Sequence, residues 1–328
     1  MRVVVLCQQR AKLFGGLGLF IWLGGCMAKP APAPLEEPVG IAVHDGTSEA
    51  VTLSLEGGAA LAGRQWAPPD PWGVVLAVHG SVSHAGWFEA LAEHLNRAGL
   101  AVVAYDRPGW GRTPGPRGRM DDYVSAIHQV REAAAEARSR YGRVHLVGLS
   151  WGGVLALRAA MEGEGLFDSV TLVAPGLADA RPIGWRDGLR VVFAKLRHST
   201  GFRWRLPYAP EDFSKSPEWR RYVAADPLRV REVCPNFIFG TRRMRGQLRS
   251  FCAHQGMPPI QCLLAGDDTI TDNRRVRKMA NRAGISVIEY EGMAHSLIFE
   301  APDRVADDIV RLAGGADNQP DRGGANAR

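Results

Sequence analysis

Gly148-Leu149-Ser150-Trp151-Gly152 is the stretch on which the reading of this chain turns, because of what flanks it. Val144-His145-Leu146-Val147 before it reads as a buried strand, and residues 154–160 after it read as a helix rich in alanine and leucine. A serine on so sharp a strand-to-helix turn is held in a strained conformation, with its hydroxyl pushed out beyond the sheet edge. The turn brings the positions two before and two after it close together, so both must be small, and both are glycine. The following helix aims its first N–H groups and the positive end of its dipole at the serine, where a negative oxygen would be stabilised. Glycine is abundant (38 of 328 residues), so G-x-S-x-G alone says little. Its place between a strand and a helix makes Ser150 the candidate nucleophile.

A serine hydroxyl needs a base to take its proton and an acid to orient that base. The run Ile260-Gln261-Cys262-Leu263-Leu264-Ala265 reads as a strand ending in Gly266-Asp267-Asp268, and a later strand over residues 285–290 ends in Glu291-Gly292-Met293-Ala294-His295. Both groups therefore fall just past strand ends, where open parallel sheets place their sites. Asp268 is the expected acid, as the second residue after the strand-ending glycine. Asp267 reads as a loop carboxylate facing water, and Asp272 as the N-cap of the helical stretch that follows it. Of nine histidines, only His295 lies on a short loop after a late strand and downstream of the acid, which makes it the expected base.

The strand Val74-Val75-Leu76-Ala77-Val78 runs into His79-Gly80-Ser81-Val82-Ser83-His84. Gly80 permits a tight turn, so the backbone N–H of Ser81 is expected to form an oxyanion hole with that of Trp151. His79 and His84 read as hydrogen-bonding braces of this loop rather than as bases.

His79-Gly80 with His84, the stretch 106–113 beginning Asp106-Arg107-Pro108-Gly109, the elbow at Ser150, Gly266-Asp267-Asp268 and His295 together resemble the α/β-hydrolase superfamily. Within it, the H-G-x-x-x-H spacing of His79 to His84 is similar to that of the monoacylglycerol lipase and lysophospholipase branch. The resemblance runs from about Val51 to Gly314, and departs at Thr113, where relatives commonly carry serine. It implies a mostly parallel eight-stranded sheet, helices on both faces, a helical cap inserted over the serine, and hydrolysis of lipid esters through an acyl-enzyme. A serine aminopeptidase-like activity on the same fold is the second reading, and would need an acidic site for the substrate's amino group. A non-catalytic envelope lipoprotein that keeps the fold as a binding module is the third.

Strand and helix patterns alternate from about residue 50, which by itself points to a parallel sheet with helices on both faces. The alternation stops over residues 177–255, a stretch far longer than an ordinary connection and expected to be the cap. Residues 181–250 carry 16 Lys and Arg against 6 Asp and Glu, a surplus of +10 against +6 for the whole chain. Interleaved with them are Trp185, Phe193, Phe202, Trp204, Tyr208, Phe213 and Trp219. Rings with basic flanks suit a lipid headgroup interface, and they equally suit a cap core with a solvated charged face. Arg242, Arg243 and Arg245 form the densest basic cluster. No nucleic-acid motif accompanies the charge, and no metal-ligand spacing occurs, so neither nucleic acid nor a metal or organic cofactor is expected.

At the N-terminus, Arg2, Arg10 and Lys12 precede an apolar run over residues 13–23 that is too short to span a bilayer. It ends in Leu23-Gly24-Gly25-Cys26, similar to a bacterial lipoprotein box with Cys26 as the lipidated residue. The expected organisation is a signal over 1–26, a Pro-rich tether over 27–40, a hydrolase domain over 41–315 and a disordered tail over 316–328. The protein would then sit in the bacterial cell envelope, anchored to a membrane. An ordinary cleaved signal, releasing it to the periplasm, and an uncleaved anchor are the alternatives. Cys262 reads as buried and inert, while Cys234 and Cys252 both fall in the cap and leave open a disulfide between them.

Overall fold

The computed structural model describes residues 48–314 apart from 57, 121, 198–200 and 254–255, so the expected signal, tether, Cys26 and tail lie outside the described residues. The elements run β1 (Glu49–Ser54), β2 (Ala60–Trp66), β3 (Gly73–Val78), α1 (Glu89–Arg97), β4 (Leu100–Tyr105), α2 (Tyr123–Tyr141), β5 (Val144–Leu149) and α3 (Trp151–Glu162). There follow β6 (Ser169–Val173), α4 (Trp185–Leu196), β7 (Trp204–Arg205), α5 (Pro217–Ala225), β8 (Glu232–Val233) and α6 (Pro235–Leu248). The chain closes with β9 (Ile260–Ala265), α7 (Asn273–Ala283), β10 (Ser286–Tyr290), α8 (Leu297–Glu300) and α9 (Pro302–Leu312).

Eight strands form one sheet in the order β1-β2-β4-β3-β5-β6-β9-β10, and β7 pairs with β8 as a separate ribbon. Only β2 runs against its neighbours; every pairing from β4 to β10 is parallel. Every residue of β3, β5, β6 and β9 is buried, as strands covered on both faces must be. Alternate residues feed opposite faces: Val74 and Leu76 of β3 join a core with α2, α3 and α7, while Val75 and Ala77 join another with α1, α8 and α9. Helix ends follow local chemistry. The Asp122 carboxylate accepts from the Ser125 N–H to start α2, and the Asp272 carboxylate accepts from the Arg275 N–H to start α7.

The α/β-hydrolase architecture with a helical insertion is thus the one the sequence implied. The antiparallel start, β1 and β2, is an addition that the alternation from residue 50 did not reveal. The stretch between β6 and β9 holds α4, the β7–β8 ribbon, α5 and α6. The seven aromatic residues singled out in this stretch from the sequence divide: Trp185 and Phe193 are exposed, Phe213 is buried, and the other four are half-buried.

Candidate active site

Ser150 stands between the last residue of β5 and the first of α3 with φ of 54° and ψ of −118°, a conformation that costs a non-glycine residue about 1–3 kcal/mol. Two close approaches enforce it. A Cβ on Gly148 would lie 2.6 Å from the Gly152 carbonyl oxygen, and one on Gly152 would lie 2.1 Å from the Val78 carbonyl oxygen of β3. The second glycine is therefore demanded mainly by the neighbouring strand, and only the first by the turn itself. Backbone bonds pin the turn further: Ser150 N–H donates to Val173 O and Gly176 N–H to Ser150 O, each at 2.8 Å.

Ser150, His295 and Asp268 come together in one hydrogen-bonded line. The Ser150 hydroxyl lies 2.8 Å from His295 Nε2, and His295 Nδ1 lies 2.7 Å from Asp268 Oδ2. A carboxylate only accepts, so Nδ1 carries the proton and Nε2 is left to accept from the serine. The other oxygen of Asp268, Oδ1, accepts from the N–H groups of Ile270 and Thr271, both at 2.8 Å. Asp267 points elsewhere, into an exposed ion pair with Lys215. The insertion also holds the base. His295 N–H donates to Asp212 O at 3.3 Å, Ser296 N–H to Phe213 O at 2.9 Å, and the Phe213 ring meets the imidazole edge-on at 6.0 Å.

Ser81 and Trp151 line the same cleft as Ser150, and among the described residues neither backbone N–H has an acceptor, which leaves both able to donate to a ligand oxygen. His79 and His84 brace the loop beside them. The His79 ring donates from Nδ1 to Gly80 O and accepts at Nε2 from the Arg107 N–H. Burial, together with the nearby charge of Arg107, holds its pKa well below the ordinary value and keeps it neutral. His84 accepts at Nδ1 from the Gly86 N–H and donates from Nε2 to Asp226, which also accepts from the Trp87 indole at 2.9 Å. Thr113 spans the loop after β4, donating to Asp106 O and accepting from the Ala62 N–H.

Arg107 is the residue that reasoning from sequence passed over. Its guanidinium donates to the carbonyls of His79 and Gly80 at 2.7 and 2.6 Å and lies 4.5 Å from the centre of the Trp151 ring. It thereby ties the Ser81 loop to the nucleophile turn. Burial pulls its pKa down to about 9, which still leaves it charged at neutral pH. The cap's cysteines do not pair: the Cys234 thiol faces Met120 O, the Cys252 thiol faces Arg282 O, and both are free.

A cleft of about 550 Å³ opens above Ser150. Its lining combines apolar residues, Trp204, Leu206, Val233, Phe237 and Ile238 among them, with cations of α6 and α7. The dense basic cluster splits here. Arg242 and Arg245 face the cleft, where Arg245 holds Asp179 through two hydrogen bonds, while Arg243 is exposed outside it.

Fold and site together define an α/β hydrolase. The chain belongs to the family described as serine aminopeptidase, S33, which it matches over residues 69–302. It is 26% identical to the phospholipase YtpA of Bacillus subtilis, over 76% of this chain and 96% of that protein. To a monoglyceride lipase homolog of Monkeypox virus it is 31% identical over 36% of this chain, a match spanning only 45% of the viral protein's length. Among solved structures, the monoacylglycerol lipase of Paleococcus ferrophilus shares the fold with a TM-score of 0.65 and 24% identity, covering 78% of this chain and 99% of that one.

Proposed function

We propose that this chain hydrolyses carboxylic esters of lipids, of the monoacylglycerol or lysophospholipid kind, through an acyl-enzyme on Ser150. His295 takes the hydroxyl proton at Nε2 as Ser150 Oγ attacks the ester carbonyl carbon. The N–H groups of Ser81 and Trp151 receive the negative oxygen of the tetrahedral intermediate. Its collapse breaks the bond to the alcohol, which leaves with the proton from His295. Water, deprotonated by the same imidazole, attacks the acyl group and frees the acid, returning the proton to Ser150. Asp268 keeps the imidazole in the required tautomer and stabilises its charged form.

The composition of the cleft carries this choice over an aminopeptidase. A substrate ammonium group needs a free carboxylate, and the cap's acids do not offer one to the cleft. Asp226 is taken by His84 and Trp87, Asp212 by Arg181, Asp187 by Arg190, and Glu211, Glu218 and Glu232 lie exposed away from it. Asp179, which does line the cleft, is held by Arg245. The names of the phospholipase and lipase relatives point the same way. Turnover of monoacylglycerols, lysophospholipids and aminoacyl amides on one preparation tests the reading. Lipid esters should be cleaved and amides not; the reverse would transfer the site to peptidase chemistry. A wild type unreactive towards fluorophosphonate would leave only a binding module.

The protein's place is read as the bacterial cell envelope, held by a lipid on Cys26 beyond a Pro-rich tether. Helix α4 supports a membrane-facing cap. Trp185, Leu189, Val192, Phe193 and Leu196 recur at helical spacing and stay exposed, Trp185 by 72% and Leu196 by 71%. Arg186 and Arg197 lie over the Trp185 and Phe193 rings. An apolar stripe flanked by cations suits insertion at an anionic lipid surface.

A further inference from the structure

The cleft above Ser150 holds more positive charge than its own walls balance. Helices α6 and α7 both pass close to the triad. On α6, Thr241 accepts from the Trp151 indole at 2.8 Å, beside Ser150. On α7, the N-cap Asp272 directly follows Thr271, whose N–H is bound to Asp268. Beyond these two points the helices carry three cations each in the cleft lining at spacing i, i+3, i+7: Arg242, Arg245 and Arg249 beside α6, Arg275, Lys278 and Arg282 along α7. That spacing keeps each trio on one face, and at 1.5 Å per residue the α6 row ends roughly 12 Å beyond Thr241.

Three of the six are neutralised or engaged at home. Arg245 holds Asp179, Arg275 meets Asp272 at 3.2 Å, and Arg282 donates to the carbonyl of Arg249. Among the described residues no carboxylate pairs with Arg242, Arg249 or Lys278, and all three are exposed to the cleft's solvent. Cations in a helix's last turn complement its dipole, which accounts for Arg249 and Arg282. It does not account for Arg242 and Lys278, which sit in mid-helix with a like charge three or four residues on. Such pairs weaken a helix. Trp204, Leu206, Val233, Phe237 and Ile238 add apolar surface to the same lining as Ser150, so the cleft is amphipathic.

We propose that these cationic rows bind the phosphate of the substrate's alcohol part, so that the substrate is an acylated glycerophosphate. The ester lies at Ser150, the acyl chain on the Trp204–Phe237 side, and the phosphate against the first free cations, Arg242 and Lys278. Guanidinium and ammonium groups together satisfy a phosphate's charge and its several acceptor oxygens, where a neutral glycerol would leave them without a counter-charge. The inference rests on the ester-hydrolase reading above and names the substrate class for that site.

The test pairs an acyl glycerol phosphate with a monoacylglycerol of the same acyl chain, both as monomers below micelle formation, on the full chain. Calorimetry with glycerol 3-phosphate, inorganic phosphate and glycerol runs beside it. The ratio of kcat/KM values should favour the phosphate-bearing ester by about tenfold, through KM, as expected for one charge-assisted contact. It should collapse towards one in the double variant Arg242→Gln/Lys278→Gln and persist in Arg243→Gln, whose side chain lies outside the cleft. Glycerol 3-phosphate should bind more tightly than inorganic phosphate or glycerol, and should lose that advantage in the double variant, whose melting curve checks its fold. A ratio at or below one, or a ratio untouched by the double variant, overturns the inference. So does inorganic phosphate binding as well as glycerol 3-phosphate, which would mark a free-anion site. Binding of glycerol 3-phosphate lost in the double variant, with neither ester cleaved, would keep the phosphate site and remove the ester-hydrolase reading. Equal cleavage of both esters without that binding would do the opposite.

Discussion

The side chains of Asp268 and His295 keep 0% and 2% of their surface exposed, whereas on α4 the whole residues Trp185 and Leu196 keep 72% and 71% of theirs. The first pair sits on loops at the ends of a sheet whose central strands are buried on both faces. The second sits on a helix that buries only Val191 and Ala194. Preorganised chemistry needs the first condition, because a base that is fixed in place loses no free energy to reorganisation during reaction. Contact with an interface needs the second. The two regions nonetheless meet, since Asp212 and Phe213 of the insertion hydrogen-bond to the backbone at His295 and Ser296. The insertion is therefore part of the site's frame as well as its cover.

If the floor is the chemical half, substitutions there should cost far more than any in the cover. Ser150→Ala should lower hydrolysis of a short soluble ester by about 10⁴-fold or more while leaving the melting temperature near wild type. Asp268→Asn should lose about 10⁴-fold, because the imidazole would be held in the wrong tautomer. Asp267→Asn should stay within about threefold, its exposed pair with Lys215 being worth little. A larger loss in Asp267→Asn than in Asp268→Asn would move the acid by one residue.

The buried sheet should also be the half that fails in acid. Burial pushes His145 in β5 from 6.5 down to about 4, so on acidification the unfolded chain takes up this proton before the folded one. Its contribution to stability is present above about pH 6.5 and is lost as pH falls towards 4, by at most about 3 kcal/mol. His145→Leu should flatten the fall of melting temperature across that window; an unchanged slope would mean that other groups drive acid unfolding.

An effect far smaller than those of the triad belongs to the cover. Leu189→Glu with Phe193→Glu should reduce hydrolysis of ester presented in anionic vesicles by about tenfold, and soluble ester much less. Equal losses on both substrates would make α4 a structural element of the site instead of a lipid-facing one.

The floor was legible in the sequence because its chemistry demands particular residues at strand ends. Ser150 and Asp268 each follow an apolar run and His295 follows a later strand, and the spacing of those strands is what a parallel sheet requires. The cover was not, because its partners are distant. Asp226 reads locally as one acid among the cap's few, and nothing near it in sequence announces His84 and Trp87, 142 and 139 residues away. Arg107 likewise looks like one more loop cation until Trp151 is folded beneath it. The aromatic residues of the insertion supported two readings equally, and packing divides them: Phe213 lies against His295, while Trp185 and Phe193 face outward. The run Arg242, Arg243, Arg245 is one patch in sequence, but helical geometry sends its members to different surroundings.

The most direct test of the central claim is to label the protein with an alkyl fluorophosphonate, or to trap it with a slow ester, and to map the modified residue by peptide mass spectrometry. The account predicts one covalent adduct, on Ser150, formed at least about 10³-fold more slowly in His295→Ala. An adduct on any other residue, or none on a folded protein that still hydrolyses esters, would contradict it.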